Sequence, residues 1–117
     1  MTPPGWPAQV RPPGHPRHVR TAVGWLLDQC PAEYRTHRVL WSRPVVLGWL
    51  ARLRVQAQQA ANTAARAAAR AQLRDVVDTR AVEALLTVLD AEQARLLGVH
   101  RALQLLLTHG KLDGPDG

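Results

Sequence analysis

Arginine is the residue type in this chain that is best placed to do chemistry. Arg66, Arg70 and Arg74 are four residues apart, so a helix would align them in one ridge, and Arg52 and Arg54 precede them. Guanidinium groups arranged in this way can contact successive phosphates of a nucleic acid. These five arginines are predicted phosphate contacts, with pairing to acids on a neighbouring helix as the alternative.

The distribution of charge is compatible with both interpretations. Residues 35–74 carry eight arginines and no acid, whereas residues 75–117 carry seven acids and four bases. The formal net charge of the whole chain is +6. No helix-turn-helix, zinc finger or aromatic RNA-binding sheet accompanies the arginines in the sequence. Nucleic-acid binding is therefore the second hypothesis for function.

Residues that could act in catalysis or hold a metal are isolated in the sequence. Cys30 and His37 could form a nucleophile and its base, but Cys30 also continues an apolar helical pattern and fits a core position. His15 and His18 lack the further ligands of a zinc site, and His100 adjoins an apolar stripe as a packed side chain would. We expect no catalytic residue, no cofactor and no metal, and a protein that is not an enzyme.

The arginines belong to a long helix predicted over residues 43–77. Its centre is mostly alanine, the strongest helix former, and Pro44 suits the first turn after Ser42 as N-cap. Apolar residues recur along it in alternating steps of four and three, a pattern typical of a helix surface that faces a partner helix. This heptad seam consists of Val46, Leu50, Leu53, Ala57, Ala60, Ala64, Ala67 and Ala71.

A second long helix, predicted over residues 79–109, supplies bulky apolar side chains. Asp78 or Thr79 can cap its start, and Gly110 can close its end in the left-handed conformation. Because very few residues join the two helices, they must lie antiparallel, with facing residues whose numbers sum to roughly 155. This register brings Arg66 near Asp90.

The remaining elements precede this hairpin. Helical spacing of apolar residues predicts a short amphipathic helix over residues 17–29. Residues 31–42 form a connector, from which Val39, Leu40 and Trp41 are expected to enter the core. We predict an all-α fold with one helical domain at residues 17–110, a proline-rich arm at 1–16 and a tail at 111–117.

The proline-rich arm contains a near repeat. Pro3-Pro4-Gly5-Trp6-Pro7 returns nine residues later as Pro12-Pro13-Gly14-His15-Pro16. Such segments favour extended structure and turns. Either Trp6 anchors the arm in a groove of a partner, or the arm lies on the protein's own helices or stays loose.

The second long helix has a wider apolar stripe than a two-position seam needs. Leu97, Leu105 and Leu106 are expected to remain partly uncovered, and together with Trp6 they are candidate partner contacts. The expected partner is a second copy, in a homodimer of the four-helix type, or a larger protein.

Several short motifs resemble a group of small actinobacterial proteins that have a proline-rich start and a long helical hairpin. The motifs are Trp25-Leu26-Leu27-Asp28, Pro31, Tyr34-Arg35 and Arg43-Pro44. The resemblance covers most of residues 10–77 and implies the hairpin fold, without an activity, a substrate or a site.

These observations favour a non-enzymatic interaction or assembly module. The start does not resemble a signal peptide, no apolar stretch approaches the ~20 residues of a membrane span, and the single Cys30 suits a reducing compartment. We expect a cytoplasmic protein that does not enter membranes.

Overall fold

The computed structural model describes residues 2–112, and this part of the chain is helical without a strand. In chain order it contains α1 (His18–Asp28), a 3₁₀ turn (Ala32–Thr36), α2 (Arg38–Ser42), α3 (Pro44–Leu73) and α4 (Thr79–His109). The molecule is elongated, with extents of 57 × 31 × 17 Å, because α3 and α4 pack along one another as a hairpin. The predicted all-α hairpin is confirmed. Residues 113–117 of the predicted tail lie outside the described part.

The ends of α3 differ from the prediction. Pro44 is in its first turn as expected, but Arg43 occupies the cap position without a side-chain cap, so the assignment of Ser42 as N-cap was wrong. Ser42 instead ends α2. At the other end α3 stops at Leu73, about one turn before residue 77, because the chain must turn before α4 begins at Thr79.

Asp78, one of the two residues predicted as the cap, caps the start of α4. Its side chain accepts a hydrogen bond of 2.8 Å from the backbone amide of Ala81, which has no partner inside the first turn of the helix. The capped start fixes where the returning helix begins.

The end of α4 corrects another prediction. Gly110 has φ −82°, so it is not left-handed, and the positive φ of 50° falls on Lys111 instead. Glycine is required at 110 for space rather than for backbone freedom, because a Cβ there would overlap the carbonyl oxygen of Leu106.

The antiparallel register of the hairpin agrees with the expected one. Arg66 Nε lies 2.6 Å from Asp90 Oδ1, as the register required. Asn62 is buried between the helices and donates through Nδ2 to the carbonyl oxygen of Leu89 at 3.0 Å and to Gln93 Oε1 at 3.3 Å. A buried amide that must find these acceptors disfavours a shifted pairing of the two helices.

Two apolar clusters lie on either side of Asn62. The larger one joins α1 to the first half of α3 and the second half of α4, and its most buried large side chains are Leu26, Leu47, Leu96, Leu103, Leu106 and Val55. The smaller one, near the turn between α3 and α4, has Ala69, Val82 and Leu86 as its buried members. The tip of the hairpin therefore has little core of its own.

The inner face of α3, which packs on α4 and α1, is not the heptad seam. It consists of Leu47, Gly48, Ala51, Val55, Asn62 and Ala69. The expectation that the seam faces α4 was wrong: Val46 and Leu53 are exposed, and so are the seam alanines. α3 is apolar on two opposite sides, and the inner face includes Gly48, where a Cβ would come within 2.6 Å of Leu107 Cδ2.

The connector contributes less to the core than expected. Leu40 is buried, whereas Val39 and Trp41 are exposed, so their predicted burial was wrong. The five-residue helix α2 has one side available for packing, and Leu40 occupies it.

Leu106 and Leu97 provide a test of this core. Leu106 is 0% exposed and Leu97 is 52% exposed. Leu106→Ala should lower the free energy of unfolding by about 3 kcal/mol, because it leaves a cavity in a packed interior. Leu97→Ala should change it by less than about 0.5 kcal/mol. Urea unfolding followed by circular dichroism measures both, and similar losses in the two variants would contradict this packing.

Candidate interaction surface

The four predicted partner contacts are not one surface. Leu106 is fully buried, which corrects its assignment as a partly uncovered residue, and Leu105 is half-buried. A Cβ on Gly5 would lie 3.3 Å from Leu105 Cδ1, so the arm covers this side of α4. Leu97 is exposed, whereas Trp6 packs against the main cluster.

The arm is built from two similar turns. The amide of Trp6 donates to the carbonyl oxygen of Pro3, and that of His15 donates to the carbonyl oxygen of Pro12, each at 3.1 Å. Gly5 and Gly14 have φ near +90° at the third position of these turns, as a type II turn requires. The near repeat in the sequence is thus a repeated turn.

Trp6 and His18 hold the arm against the helices. The ring centroids of Trp6 and His18 are 6.1 Å apart in a stacked arrangement, and Trp6 Nε1 donates to the carbonyl oxygen of Val10 at 2.9 Å. His18 is 4% exposed, and its two ring nitrogens face the carbonyl oxygens of Arg11 and Gly110. One imidazole therefore joins the arm, α1 and the end of α4, so the arm lies on the protein's own helices.

The predicted arginine ridge is largely paired within the hairpin. Arg66 contacts Asp90 at 2.6 Å, and Arg70 contacts Glu83 at 2.9 Å and 3.2 Å. The hydrogen bond to Asp90 raises the pKa of Arg66, and the same bond lowers the pKa of the Asp90 carboxyl. The internal pairing that the sequence left open is present for these two members.

The remaining predicted phosphate contacts form no ion pair with the described residues. Arg54 and Arg74 are exposed, and Arg52 is half-buried. Arg52 Nε and His100 Nδ1 are both buried without a hydrogen-bond partner among residues 2–112. Arg54 and Arg74 are therefore available for an external contact, whereas Arg52 is available only in part because its Nε is buried.

The surroundings of Cys30 do not favour nucleophilic chemistry. Burial raises the pKa of its thiol, against the opposing effect of Arg54 and Arg35, so the thiol stays protonated at neutral pH. His37, the base that a nucleophile would need, is exposed at the start of α2. Cys30 instead packs against the main cluster, as its helical spacing predicted.

A polar cleft of about 470 Å³ lies beside Cys30. Its charged lining residues include Asp28, Glu33, Arg54 and Arg95. Asp28 is paired with Arg35, and the bond between Glu92 and Arg95 lowers the pKa of Glu92.

Residues 2–112 contain no group of three or more His, Cys, Asp or Glu that could hold a metal ion. The helices of this part include none that is long and apolar enough to cross a bilayer.

An extended apolar surface lies on α3. We call it the outer stripe and define it as the exposed residues Val46, Trp49, Leu53, Ala57, Ala60, Ala64, Ala67 and Ala71. It is the heptad seam with Trp49 in place of Leu50, which is half-buried, and at 100° per residue it lies opposite the inner face. Trp49 is 53% exposed, and the stripe carries no charge over ~40 Å of helix.

The sequence predicted the spacing of the outer stripe but not that the stripe faces away from α4. Trp49 was missed although it follows Val46 by three residues, which is the signal that could have found it. Asn62 and the linking role of His18 were missed as well, because their importance depends on partners far away in the sequence.

Comparison with known proteins assigns neither a family nor a function to this chain. No protein family, curated protein or solved structure gives a match to this chain. The resemblance to small actinobacterial hairpin proteins therefore rests on the short motifs alone, and the function must be inferred from the surface itself.

The docking of the arm can be tested at Trp6. Trp6→Ala should lower the free energy of unfolding by about 1–3 kcal/mol, because it removes buried aromatic area and the stack on His18. It should also speed tryptic cleavage after Arg17, because His18 on the other side of that bond loses its stack on Trp6. Gln9→Ala, an exposed residue of the same arm, should change neither measurement. Equal effects of the two substitutions would mean that the arm is not held through Trp6.

Proposed function

We propose that this protein is a non-enzymatic interaction module of the cytoplasm that assembles through the outer stripe with a second protein chain, either another copy or a different protein. The observation that carries the proposal is the uncharged apolar surface along one side of a long helix. Exposed Trp49 and Leu53, which are 53% and 40% exposed, are costly to leave in water and typical of a binding surface.

The spacing of the outer stripe specifies the kind of contact. Steps of four and three suit a second helix that packs lengthwise, with its side chains between those of α3. The alanines allow the two backbones to approach closely, and the bulky residues at one end supply buried area. The partner surface is therefore expected to be helical and apolar.

A photo-reactive benzophenone side chain in place of Leu53 tests this proposal in the cells that naturally make the protein. The same group in place of Leu97 is the matched control, because Leu97 is comparably exposed on α4. A discrete adduct from position 53 but not from 97, identified by mass spectrometry, is expected. No adduct from position 53, or equal adducts from both, would contradict the proposal.

The identified complex is then reconstituted from purified proteins. Leu53→Asp should weaken it about 100-fold, because a carboxylate would be buried without a partner. Leu97→Asp should change the dissociation constant by less than about three-fold. If the two variants behave alike, the outer stripe is not the contact.

The second candidate function is binding of a nucleic acid through arginines of α3 and of its C-terminal cap. It is favoured by Arg52, Arg54 and Arg74, which have no ion pair with described residues and belong to a segment without acids. Arg66 and Arg70 would contribute only after releasing their own acids, which weakens this candidate relative to the first.

Salt dependence tests the second candidate. Fluorescence anisotropy with labelled mixed-sequence duplex DNA and single-stranded RNA should show micromolar affinity that collapses between ~50 and ~200 mM salt. Replacing Arg52, Arg54 and Arg74 with Gln should abolish binding, whereas the same change at Arg17 and Arg20 should have a smaller effect. Absence of binding at low salt would remove this candidate.

A further inference from the structure

The outer stripe fits a second copy of this chain, and we propose that two copies pair antiparallel through their α3 helices. This inference rests on the proposed function and names the partner. It starts from a gradient of side-chain size: Val46, Trp49 and Leu53 occupy one end of the stripe, and the other end is alanine.

A two-fold axis through the middle of the stripe gives a defined register. Residues of the two copies whose numbers sum to roughly 117 then face each other. Val46 meets Ala71 of the second copy, and Leu53 meets Ala64. Each bulky side chain thus faces a small one, which allows dense packing without overlap. A parallel pair would place Trp49 against Trp49 and leave a gap between the alanines.

The poor core of the hairpin tip supports the same arrangement. Between Asn62 and the turn, the cluster has only Ala69, Val82 and Leu86 as buried members among the described residues. In the antiparallel pair the tip of one copy lies along the bulky half of the stripe of the other. Each copy therefore provides apolar side chains where the other has few.

Further exposed apolar residues precede and follow α3 in the chain. Val76 and Val77 are exposed in the turn after α3, and Val39 and Trp41 are exposed just before it. In the proposed register Val76 reaches the level of Trp41 in the second copy. Of the eleven exposed large apolar residues in the described chain, eight lie on α3 or within five residues of its ends: Val39, Trp41, Val45, Val46, Trp49, Leu53, Val76 and Val77.

The extent of the outer stripe and the positions of the arginines of α3 are also compatible with pairing to a second copy. Each partner of a stable dimer buries about 800 Å², which requires an extended contact, and the outer stripe runs for ~40 Å along α3. Arg52 and Arg54 would lie opposite Ala65 and Thr63 of the second copy, and arginines reach the same level, Arg74 with Arg43, only beyond the ends of the stripe. The other two arginines of α3 are ion-paired within their own hairpin.

Disulfide cross-linking of the full chain tests the register, with Cys30→Ser in every variant. An equimolar mixture of Val46→Cys and Ala71→Cys should form a linked dimer under mild oxidation, because the register brings these positions within disulfide distance. Val46→Cys alone should remain unlinked. Efficient linking of Val46→Cys alone would indicate a parallel pair and overturn the proposal, as would a failure of the mixture to link.

Sedimentation equilibrium gives a second readout that a merely structural effect would not produce. Leu53→Ala and Ala64→Leu should each weaken the dimer about ten-fold, and the double variant should recover to within about three-fold of the original dissociation constant, since large and small residues exchange places. Leu97→Ala is the control and should leave the dissociation constant unchanged.

The oligomeric state of the unmodified chain distinguishes pairing with a second copy from the proposed function. A monomer at about 100 μM would overturn pairing with a second copy, because a contact of this size should be populated at that concentration. The proposed function would still stand if the photo-reactive group at position 53 links to a different protein. If that group also gives no adduct, both proposals fail.

Discussion

The packing of the inner face of α3 on α4 is the interaction on which the rest of the structure depends. α3 is rich in alanine, so by itself it could bury area on almost any side. Leu47 and Val55 select one side, because they reach the leucines of α4 and of α1 together. Gly48 then admits Leu107, so that the two helices come close at the broad end of the molecule. Once this face is buried, the opposite face of a straight helix must point to solvent.

Polar contacts between α3 and α4 determine the register of the hairpin more than they contribute to its stability. The ion pairs of Arg66 and Arg70 are solvent-exposed, and such pairs contribute little free energy. Asn62 is different, because its amide is buried and must be satisfied by Leu89 and Gln93. The cost of leaving it unpaired disfavours other registers. The tip of the hairpin, which has a small apolar cluster, can therefore still adopt one register.

The proline-rich arm completes the broad end of the core rather than extending from it. His18 accounts for this, since its ring contacts Trp6, the carbonyl oxygen of Arg11 and that of Gly110. The arm covers Leu105 and leaves Leu97 open. The outer stripe remains exposed along α3. An apolar contact made by α3 therefore accounts for the exposed apolar residues better than a contact made by α4.

The helices, the turn and the antiparallel register were predictable from the sequence, because they follow from local signals: the helical periodicity, Pro44, Asp78 and the short link between the two long helices. The sequence also predicted the apolar steps of four and three along α3, but the expectation that this seam faces α4 was wrong. Which side of α3 is buried depends on the tertiary packing. Val46 and Leu47 are adjacent in the chain, yet they point about 100° apart, and their apolar character is nearly the same. The choice between them depends on side chains from α1, the arm and α4 that converge on one side, and this convergence cannot be read from the spacing within a single helix.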